Sequence, residues 1–380
     1  MKLSYSLFMT SKKKIEELLI PARITLNGKN PWDIQVYDDR LYDRVFAQGA
    51  LGFGEAYMDG WWDAEDLAEF FYRFLRPGLA DKVQNFGAMW YFLRAFFTNM
   101  QNKNRAFQVG EEHYDVGNDL YKRMLDQHMV YSCGYWSGTP EAKSLAEAQE
   151  AKMDLICKKL GLKPGQTILD IGCGWGSFLQ FAHERYGTQG VGTTVSKEQA
   201  ELASERVRGL PIDIRFEDYR NTVGKFDHII SIGMFEHVGP KNYRAYFTKA
   251  RELLKDDGLF LLHTIGSRKK TQITDPWINR YIFPNGVLPS VEYIGKGADR
   301  LFTVEDWHNF GPDYDPTLLA WCKNFERAWP KLKTNYSERF YRLWRYYLLS
   351  TAGGFRARHM HLWQILLSKK GVEGGYKSVR

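Results

Sequence analysis

The chain contains no long apolar run and no closely paired cysteines, and each absence argues against a class of protein. No segment approaches the roughly 18 consecutive apolar residues that a transmembrane helix requires. The cysteines among the 380 residues are widely spaced, which fits reduced thiols of a cytoplasmic protein better than a disulfide framework. They are Cys133, Cys157, Cys173 and Cys322.

The N-terminus also lacks the pattern of a secretory signal peptide. Residues 1–15 place lysines after a short apolar patch and contain no long hydrophobic core. Hydrophobic residues make up 44% of the chain and aromatic residues 15%, which is enough for a sizeable core. The net charge of +7 allows a polyanionic partner, either nucleic acid or an anionic membrane.

Helical patterning dominates the first part of the chain. Apolar residues recur at helical spacing over 67–75 until Pro77 and Gly78 end the segment, and a second stripe covers 86–97. A polar, basic stretch follows. The sequence therefore predicts a helical N-terminal domain at 1–97, a linker at 98–107 and a larger domain at 108–380.

Strand and helix patterns alternate in the larger domain, which predicts an α/β fold with a parallel sheet and helices on both faces. Ligands of such sheets bind beyond the carboxyl ends of the strands. Residues 266–315 break the alternation and are too long for a simple connection, so we predict a lid or insertion there. The predicted strands cover 167–171, 190–195, 212–216, 226–232, 258–264 and 361–368, and predicted helices include 177–186, 197–207 and 242–254.

The most informative segment is residues 167–176, an apolar strand with one acid, Asp170, that runs into glycines at alternate positions. Glycine permits a tight turn at positive φ and leaves room for a ligand against the main chain. A helix begins directly after the turn, and its free N–H groups suit a carboxylate or a phosphate. The pattern predicts a nucleotide-like ligand beside Gly172, Gly174 and Gly176.

The spacing of these glycines favours S-adenosylmethionine over NAD. A dinucleotide site prefers G-x-G-x-x-G and an acid at the end of the second strand, whereas this chain has G-x-G-x-G and no acid at 192–196. Asp170 is placed to accept a hydrogen bond either from an ammonium group or from the backbone of the turn. After the third strand, Asp218 could accept the adenine amino group and Tyr219 could stack on the ring. A glycine turn without any cofactor is the less favoured alternative.

Four further residues can converge at the same edge of the sheet: Cys133 before the first strand, Glu236 after the fourth, His263 at the end of the fifth and Tyr314 in the 266–315 segment. Each alone has an ordinary explanation, such as a small buried thiol, a helix cap, a satisfied histidine or a packed ring. Their joint placement near one edge of the sheet favours a functional site.

A histidine pair near the C-terminus raises the question of a metal site. His359 and His361 share a face if they belong to a strand, but no third ligand is evident, so we interpret them as structural and predict no metal.

Motifs spread over nearly the whole chain carry a family resemblance. They are GEAYMDGWW (54–62), EHYDVGNDLY (112–121), YSCGYW (131–136), LDIGCGWG (169–176), GTTVSKEQ (192–199), EDYR (217–220), MFEHVGPKNY (234–243), LLHTIGS (261–267), DPWINRYIFPNG (275–286) and EDWHNFGPDY (305–314). The chain resembles the cyclopropane-fatty-acyl-phospholipid synthases, and its second domain is also similar to the mycolic-acid cyclopropane synthases. The resemblance implies a Rossmann-like class I S-adenosylmethionine-dependent methyltransferase domain, preceded by a smaller, mainly helical N-terminal domain.

The implied reaction transfers a methylene group from S-adenosylmethionine to a cis double bond of a phospholipid acyl chain. An alkene is a poor nucleophile, so the donor methyl must be held in line with it. The resulting carbocation needs a dry site and aromatic faces, which segments 131–136, 277–283 and 307–314 can supply. A base must then remove one proton so that the ring closes.

The resemblance also implies the roles of individual residues. A bound bicarbonate would act as the base, held by Cys133, Glu236, His263, the backbone of Ile265, and Tyr314. Glu236 would orient His263 or accept the bicarbonate hydroxyl proton. S-adenosylmethionine would be bound by Tyr131, Ser132, Asp170, Gly172, Gly174, Gly176, Thr194, Gln199, Asp218 and Tyr219.

One departure from the family concerns thiols. Some members carry a cysteine near the C-terminus, where this chain has Ser350 and Thr351, so that thiol plays no role here. The mechanism does not require Cys133 as a covalent nucleophile.

The substrate implies a membrane surface as partner, so we predict a cytoplasmic protein that is peripheral on the inner face of the membrane. Aromatic and basic residues of the first domain suit such an interface, although most of the aromatic residues would equally serve as the domain's own core. The resemblance also suggests a homodimer. The aromatic and basic residues that suit the membrane interface are Phe70, Phe71, Phe74, Trp90, Phe92, Phe96, Arg73, Arg76 and Arg94.

Three alternatives stay open at this point. A related enzyme could form a methyl-branched or methylene product from the same cation. The positive charge permits a nucleic-acid methyltransferase, but Phe235, Glu236 and His237 stand where an Asn/Asp-Pro-Pro-Tyr motif would follow the fourth strand, so we expect no nucleic-acid partner. A lipid-binding protein without catalysis is the third alternative.

Overall fold

The computed structural model describes residues 2–79, 117–268 and 275–380, and the chain divides into two compact units. The predicted linker at 98–107 lies outside the described residues. Residues 273–284 and 318–360 group with the N-terminal segment, although the sequence analysis assigned them to the catalytic domain. Unit 1 comprises Met1–Thr98, Ile273–Pro284 and Leu318–Met360, and unit 2 comprises Asn99–Gln272, Asn285–Thr317 and His361–Arg380.

Unit 1 is mainly helical, and the packing of its core explains why residues 318–360 group with the N-terminal segment. The ring of Tyr346, in a C-terminal helix, lies 5.4 Å from the Tyr57 ring and 5.3 Å from the Phe71 ring. Gly353 of the same helix allows close packing, because an added Cβ would lie 2.5 Å from the Ala68 carbonyl oxygen. Helices distant in sequence therefore complete the core that the first 79 residues begin.

Two of the six aromatic residues that suggested a lipid surface belong to the core of this unit. Phe70 and Phe71 are buried, so the interfacial interpretation is wrong for both. The Arg73 guanidinium stacks 3.7 Å from the Trp32 ring and forms an ion pair with Glu69. The second stripe, with Trp90, Phe92, Arg94 and Phe96, lies outside the described residues.

Unit 2 is built on a seven-stranded sheet with the order β5-β4-β3-β6-β7-β9-β8. Strands β3 to β7 pair in parallel, as predicted, but β8 and β9 pair antiparallel, so the sheet is mixed. The strands of the two units are β1 (Gln35–Val36), β2 (Trp62–Asp63), β3 (Thr167–Ile171), β4 (Gln189–Thr194), β5 (Ile212–Phe216), β6 (Phe226–Ile232), β7 (Leu254–Ser267), β8 (Thr303–Asn309) and β9 (Met360–Ser368).

Both faces of the sheet are covered. This is seen at β3, whose alternate side chains are buried in two different clusters. Leu169 and Ile171 pack in one and Ile168 in the other. The helices described in the chain are α1 (Lys2–Leu19), α2 (Arg40–Met58), α3 (Leu67–Leu75), α4 (Asn118–Met124), α5 (Leu145–Leu160), α6 (Ser177–Tyr186), α7 (Lys197–Arg206), α8 (Tyr243–Leu253), α9 (Pro276–Tyr281), α10 (Val291–Ala298), α11 (Tyr314–Leu332) and α12 (Glu338–Arg356).

The predicted lid at 266–315 is not a single insertion. Its residues Thr303–Asn309 form β8, an edge strand of the main sheet, while Pro276–Tyr281 belongs to unit 1. Residues 269–274 lie outside the described part. Across the described ranges, no helix combines the length and the apolar character that crossing a bilayer would demand.

Candidate active site

The glycine turn after β3 has the predicted conformation. Gly172, Gly174 and Gly176 have φ angles of 84°, 55° and 77°, in the left-handed region that favours glycine. A Cβ placed on Gly174 would meet no atom within 4 Å, so the main chain is open to a ligand at this residue. Gly176 then precedes the first turn of α6.

Asp170, the last but one residue of β3, is a buried carboxylate with an unsatisfied hydrogen-bond acceptor among the described residues. Its Oδ1 atom has no hydrogen-bond partner among the described residues. Burial raises the pKa of Asp170 to about 7, although the charge of Lys152 opposes the shift. Leaving a buried polar atom unpaired is costly, so this position fits a ligand that brings a cationic donor such as an ammonium group.

The segment at 131–137 is fixed to the start of α11 by side chains of that helix and its preceding turn. The Thr317 hydroxyl accepts hydrogen bonds from Gly134 N at 3.1 Å and from Trp136 Nε1 at 2.9 Å. The Asp313 carboxylate accepts from Trp136 N at 2.7 Å. These hydrogen bonds join the segment that contains Cys133 to the residues on either side of Tyr314, which the sequence analysis assigned to the same site.

Polar residues of α5 hold Ser132, which was predicted to bind the cofactor. The Ser132 hydroxyl accepts a hydrogen bond from Lys152 Nζ at 2.8 Å, and its carbonyl oxygen accepts from Gln149 Nε2 at 2.7 Å. Tyr131, its neighbour, packs edge-on against the Tyr121 ring at 5.1 Å. Lys152 and Gln149 were not predicted; the available signal was two polar residues on the buried face of an amphipathic helix.

The end of β4 presents Thr194 and Gln199 as predicted, and both are buried. The Thr194 hydroxyl donates to Gln199 Oε1 at 3.0 Å and accepts from Ser196 N at 3.2 Å. The carboxamide oxygen of Gln199 is therefore already bound, and its NH₂ group remains the donor suited to ribose hydroxyls.

The end of β5 presents Asp218, but with a partner that the sequence analysis missed. Arg220 donates to both carboxylate oxygens, with Nε to Oδ1 at 2.8 Å and Nη2 to Oδ2 at 2.6 Å, and its backbone N also donates to Oδ1. A carboxylate accepts about four hydrogen bonds, so one position is left for an adenine amino group. The neighbouring Tyr219 ring lies edge-on to Tyr246 at 5.2 Å.

We use the name catalytic cluster for the residues that the sequence analysis predicts for catalysis: Cys133, Glu236, His263, Ile265 and Tyr314. Glu236 lies in the short helix Phe235–His237 after β6, and its Oε1 accepts from Ile265 N at 2.7 Å. Its Oε2 is buried and has no partner among the described residues. Burial raises the pKa of Glu236 to about 7 against the opposing effect of the Ile265 hydrogen bond.

The backbone of Ile265 was expected to bind an anion directly, but its N–H group is not available for this. Its N–H is used by Glu236, so the group that remains is its carbonyl oxygen, which accepts from Thr264 Oγ1 at 3.1 Å.

His263, on β7, is buried and neutral. Gln364 Nε2, as oriented in the structure, donates to His263 Nδ1 at 3.3 Å, which leaves the imidazole proton on Nε2. That Nε2 atom has no partner in the parts of the chain that the structure describes. Burial holds the pKa of His263 well below its usual value, and the charge of Lys152 adds to the effect. Gln364 is a further residue that the sequence analysis missed.

Cys133 is a buried thiol rather than a thiolate. Burial raises its pKa well above the usual value, and Sγ donates to its neighbour's carbonyl oxygen, Gly134 O, at 3.1 Å. This fits the expectation that Cys133 is not a nucleophile.

The carboxylate of Asp170 and the catalytic cluster share electrostatic neighbours. The charge of Lys152 acts on Asp170, Cys133 and His263, and the charges of Asp170 and Glu236 both act on Tyr246.

Of the two C-terminal histidines, His361 lies in β9 and packs against its neighbours, whereas His359 precedes the strand. His361 Nδ1 lies 3.3 Å from Asn309 Nδ2, and its ring stacks on Trp363. Among the residues that the structure describes, no group of three or more His, Cys, Asp or Glu side chains is arranged to hold a metal ion.

Comparison with known proteins identifies close relatives. A family model described as mycolic acid cyclopropane synthetase matches residues 101–365. The chain is 51% identical over 365 residues to the cyclopropane-fatty-acyl-phospholipid synthase of Escherichia coli (strain K12), covering 96% of this chain and 94% of that protein.

Solved structures agree with this result. The cyclopropane synthase MmaA2 from Mycobacterium tuberculosis aligns with a TM-score of 0.66 and 31% identity, covering 72% of this chain and all of that one (100%). The mycolic acid cyclopropane synthase CmaA1, complexed with SAH and CTAB, aligns with a TM-score of 0.64 and 33% identity, covering 69% of this chain and 98% of that one.

Proposed function

Because the chain belongs to the mycolic acid cyclopropane synthetase family, we propose that it transfers a methylene group from S-adenosylmethionine to the cis double bond of unsaturated acyl chains in membrane phospholipids. The family and the shared fold make it an S-adenosylmethionine-dependent methyltransferase, as the sequence analysis expected. The phospholipid substrate is supported by the name of the E. coli relative, which aligns over nearly its full length.

The observation that carries the proposal is a buried cluster with two open hydrogen-bonding positions. Glu236 Oε2 and His263 Nε2 are both buried without partners among the described residues, which is expected where a small polar ligand completes the site. Bicarbonate fits these positions because it has oxygen acceptors for the His263 N–H and a hydroxyl that can donate to Glu236. Bound there, bicarbonate would supply the base that removes the last proton.

The raised pKa of Glu236 resolves the apparent repulsion between its carboxyl group and an anion. With a pKa of about 7, Glu236 exists partly protonated near neutral pH. The ionised form accepts a hydrogen bond from the bicarbonate hydroxyl, and the protonated form donates one to a bicarbonate oxygen, so Glu236 can hold the anion in either state.

The surroundings of the cluster suit a carbocation on the lipid. His263 and Cys133 are buried, and the Phe310 ring lies 5.8 Å from the His263 ring. Tyr135 packs edge-on against Phe310 at 5.3 Å. These aromatic groups exclude water, which would trap the cation, and their faces stabilise positive charge without attacking it.

We assign the cofactor to the glycine turn, where S-adenosylmethionine would supply the methyl group. Asp170 and Ser132 would hold its amino-acid end beside the open main chain at Gly174. Gln199 would donate to the ribose and Asp218 would accept from the adenine amino group. The unpartnered Asp170 oxygen and the ends of β4 and β5 support this orientation.

We also propose that the protein acts at the inner face of the membrane, as a peripheral protein of the cytoplasm. The support is its lipid substrate and its net charge of +7, because each well-placed Lys or Arg gains about 1 kcal/mol beside an anionic leaflet. A homodimer stays a prediction, which light scattering of the purified protein tests.

Product analysis tests the function. Vesicles of unsaturated phospholipid are incubated with the purified protein, S-adenosylmethionine and bicarbonate, and the acyl chains are examined by mass spectrometry before and after ozonolysis. We expect a gain of one CH₂ with resistance to ozone, since a cyclopropane has no double bond. An ozone-sensitive product of the same mass would indicate a methylene branch, and unchanged lipid would contradict the proposal.

A further inference from the structure

Lys152, in the middle of α5, is a buried ammonium group with few protein partners. Its side chain is 1% exposed, and its one hydrogen bond within the described part of the chain goes to Ser132 Oγ, at 2.8 Å. Burial lowers its pKa to about 8, so it stays mostly charged at neutral pH. An ammonium group has three N–H donors, and an isolated buried charge is costly, so further acceptors are expected beside it.

A buried charge of opposite sign lies near Lys152 without pairing to it. Each of Asp170 and Lys152 shifts the pKa of the other, yet the two form no ion pair in the described structure, and Asp170 Oδ1 has no hydrogen-bond partner there. Buried charges are usually paired. Because both groups are buried and do not pair with one another, a ligand that carries both signs of charge would satisfy the two at once.

We propose that Lys152 and Ser132 bind the carboxylate at the amino-acid end of S-adenosylmethionine, opposite Asp170, which binds the ammonium group of the same end. The inference rests on the proposed function, because it assumes that cofactor. An α-amino acid presents a carboxylate and an ammonium group on one carbon, which matches a cation and an anion held apart in one buried site. Lys152 is therefore a binding residue.

A bicarbonate ion explains these observations less well. It would offer Lys152 an anionic partner, since that charge also acts on Cys133 and His263 of the catalytic cluster. It would leave the Asp170 carboxylate without the cationic donor that its unpartnered oxygen requires. The amino-acid end of the cofactor satisfies both residues at once.

A thermodynamic cycle that changes Lys152 in the protein and the carboxylate in the ligand tests the assignment. Calorimetry measures the affinity of S-adenosylhomocysteine and of its decarboxylated analogue, 5′-(3-aminopropylthio)-5′-deoxyadenosine, for the wild type and for Lys152→Met. We expect removal of the ligand carboxylate to weaken binding to the wild type by about tenfold or more, as for a charge-assisted hydrogen bond. In Lys152→Met the same removal is expected to cost about twofold at most. The ratio cancels effects common to both ligands, including any change in the ionisation of Asp170.

Three controls keep the result interpretable. Methylthioadenosine, which lacks the whole amino-acid end, should bind the wild type and Lys152→Met equally if the variant is folded. Ser132→Ala retains the charge of Lys152 and provides a second cycle, in which a smaller reduction of the carboxylate effect is expected. Lys152→Arg should keep most of the effect, because it keeps the positive charge.

An equal cost of carboxylate removal in the wild type and in Lys152→Met would overturn the assignment. The assignment would also be overturned if Lys152→Met needed more bicarbonate for activity while the ratio of its affinities for the two ligands stayed at the wild-type value. The binding measurement needs neither lipid nor bicarbonate. A wild type that binds no S-adenosylhomocysteine would therefore contradict the proposed function itself, whereas binding with no dependence on Lys152 contradicts only this inference.

Discussion

The nucleoside end of the proposed cofactor site and the catalytic cluster differ in how far the protein satisfies its own polar groups. At the ends of β4 and β5, Gln199 is paired with Thr194 and Asp218 with Arg220. In the catalytic cluster, Glu236 Oε2 and His263 Nε2 have no partners in the described residues. The first arrangement is preorganised for binding, whereas the second is complete only when a small ligand is present. Substitutions on the two sides should therefore fail in different ways.

The largest effect is expected from Glu236→Gln. The amide has the shape of the carboxylate but neither accepts nor releases the proton, so turnover should fall by about 10²- to 10⁴-fold. Because Glu236 lies outside the preorganised side, affinity for S-adenosylhomocysteine should stay within about threefold by calorimetry. His263→Ala should behave similarly. The matched control is Glu252→Gln, an exposed carboxyl group on α8. Full activity of Glu236→Gln would refute its assignment.

A second effect concerns the stability of the ligand-free protein. Burial raises the pKa of Glu236 from its ordinary 4.5 to about 7, so the folded state binds more protons than the unfolded state between these values. The free energy of unfolding should therefore fall as the pH rises from 4.5 to 7, by on the order of 3 kcal/mol from this group. Urea unfolding across this window should show a shallower decline for Glu236→Gln. Parallel curves for the two proteins would contradict the account.

A smaller effect is expected on the preorganised side. Asp218→Ala removes the proposed acceptor for adenine and leaves Arg220 without its partner, so affinity for S-adenosylhomocysteine should fall by about tenfold. Turnover at saturating cofactor should change little. Asp213→Ala is the matched control, because Asp213 forms an equivalent but exposed pair with Arg215. Equal affinities of Asp218→Ala and Asp213→Ala would remove Asp218 from the site.

Contiguous patterns in the sequence were sufficient to predict most of the sheet. The bounds of β3, β5 and β6 agree with the prediction, because these strands are apolar runs or alternations bounded by turn residues. Strand β8 was missed because it is an edge strand, with charged residues and partly exposed side chains that hide its period. The grouping of 318–360 with unit 1 was also missed, since its core contacts join residues almost 300 positions apart.

The residue types of the site could be predicted, but their partners could not. Glu236 and His263 were recognisable at the ends of strands, and the Rossmann-like expectation is confirmed. Lys152 of α5 and Gln364 of β9 act on His263, and Arg220 of the turn after β5 pairs with Asp218. Which side chain meets a buried carboxylate or imidazole depends on packing between distant elements, and no local pattern encodes that.

The most direct test of the central claim, that Glu236 and His263 hold a bicarbonate base, is the rate of lipid methylene transfer in carefully decarbonated buffer as bicarbonate is added back. We expect a low rate without bicarbonate and saturable recovery with it, while S-adenosylhomocysteine binding is unchanged in both buffers. Glu236→Gln should show little recovery at any concentration. A wild-type rate that is the same with and without bicarbonate would contradict the claim.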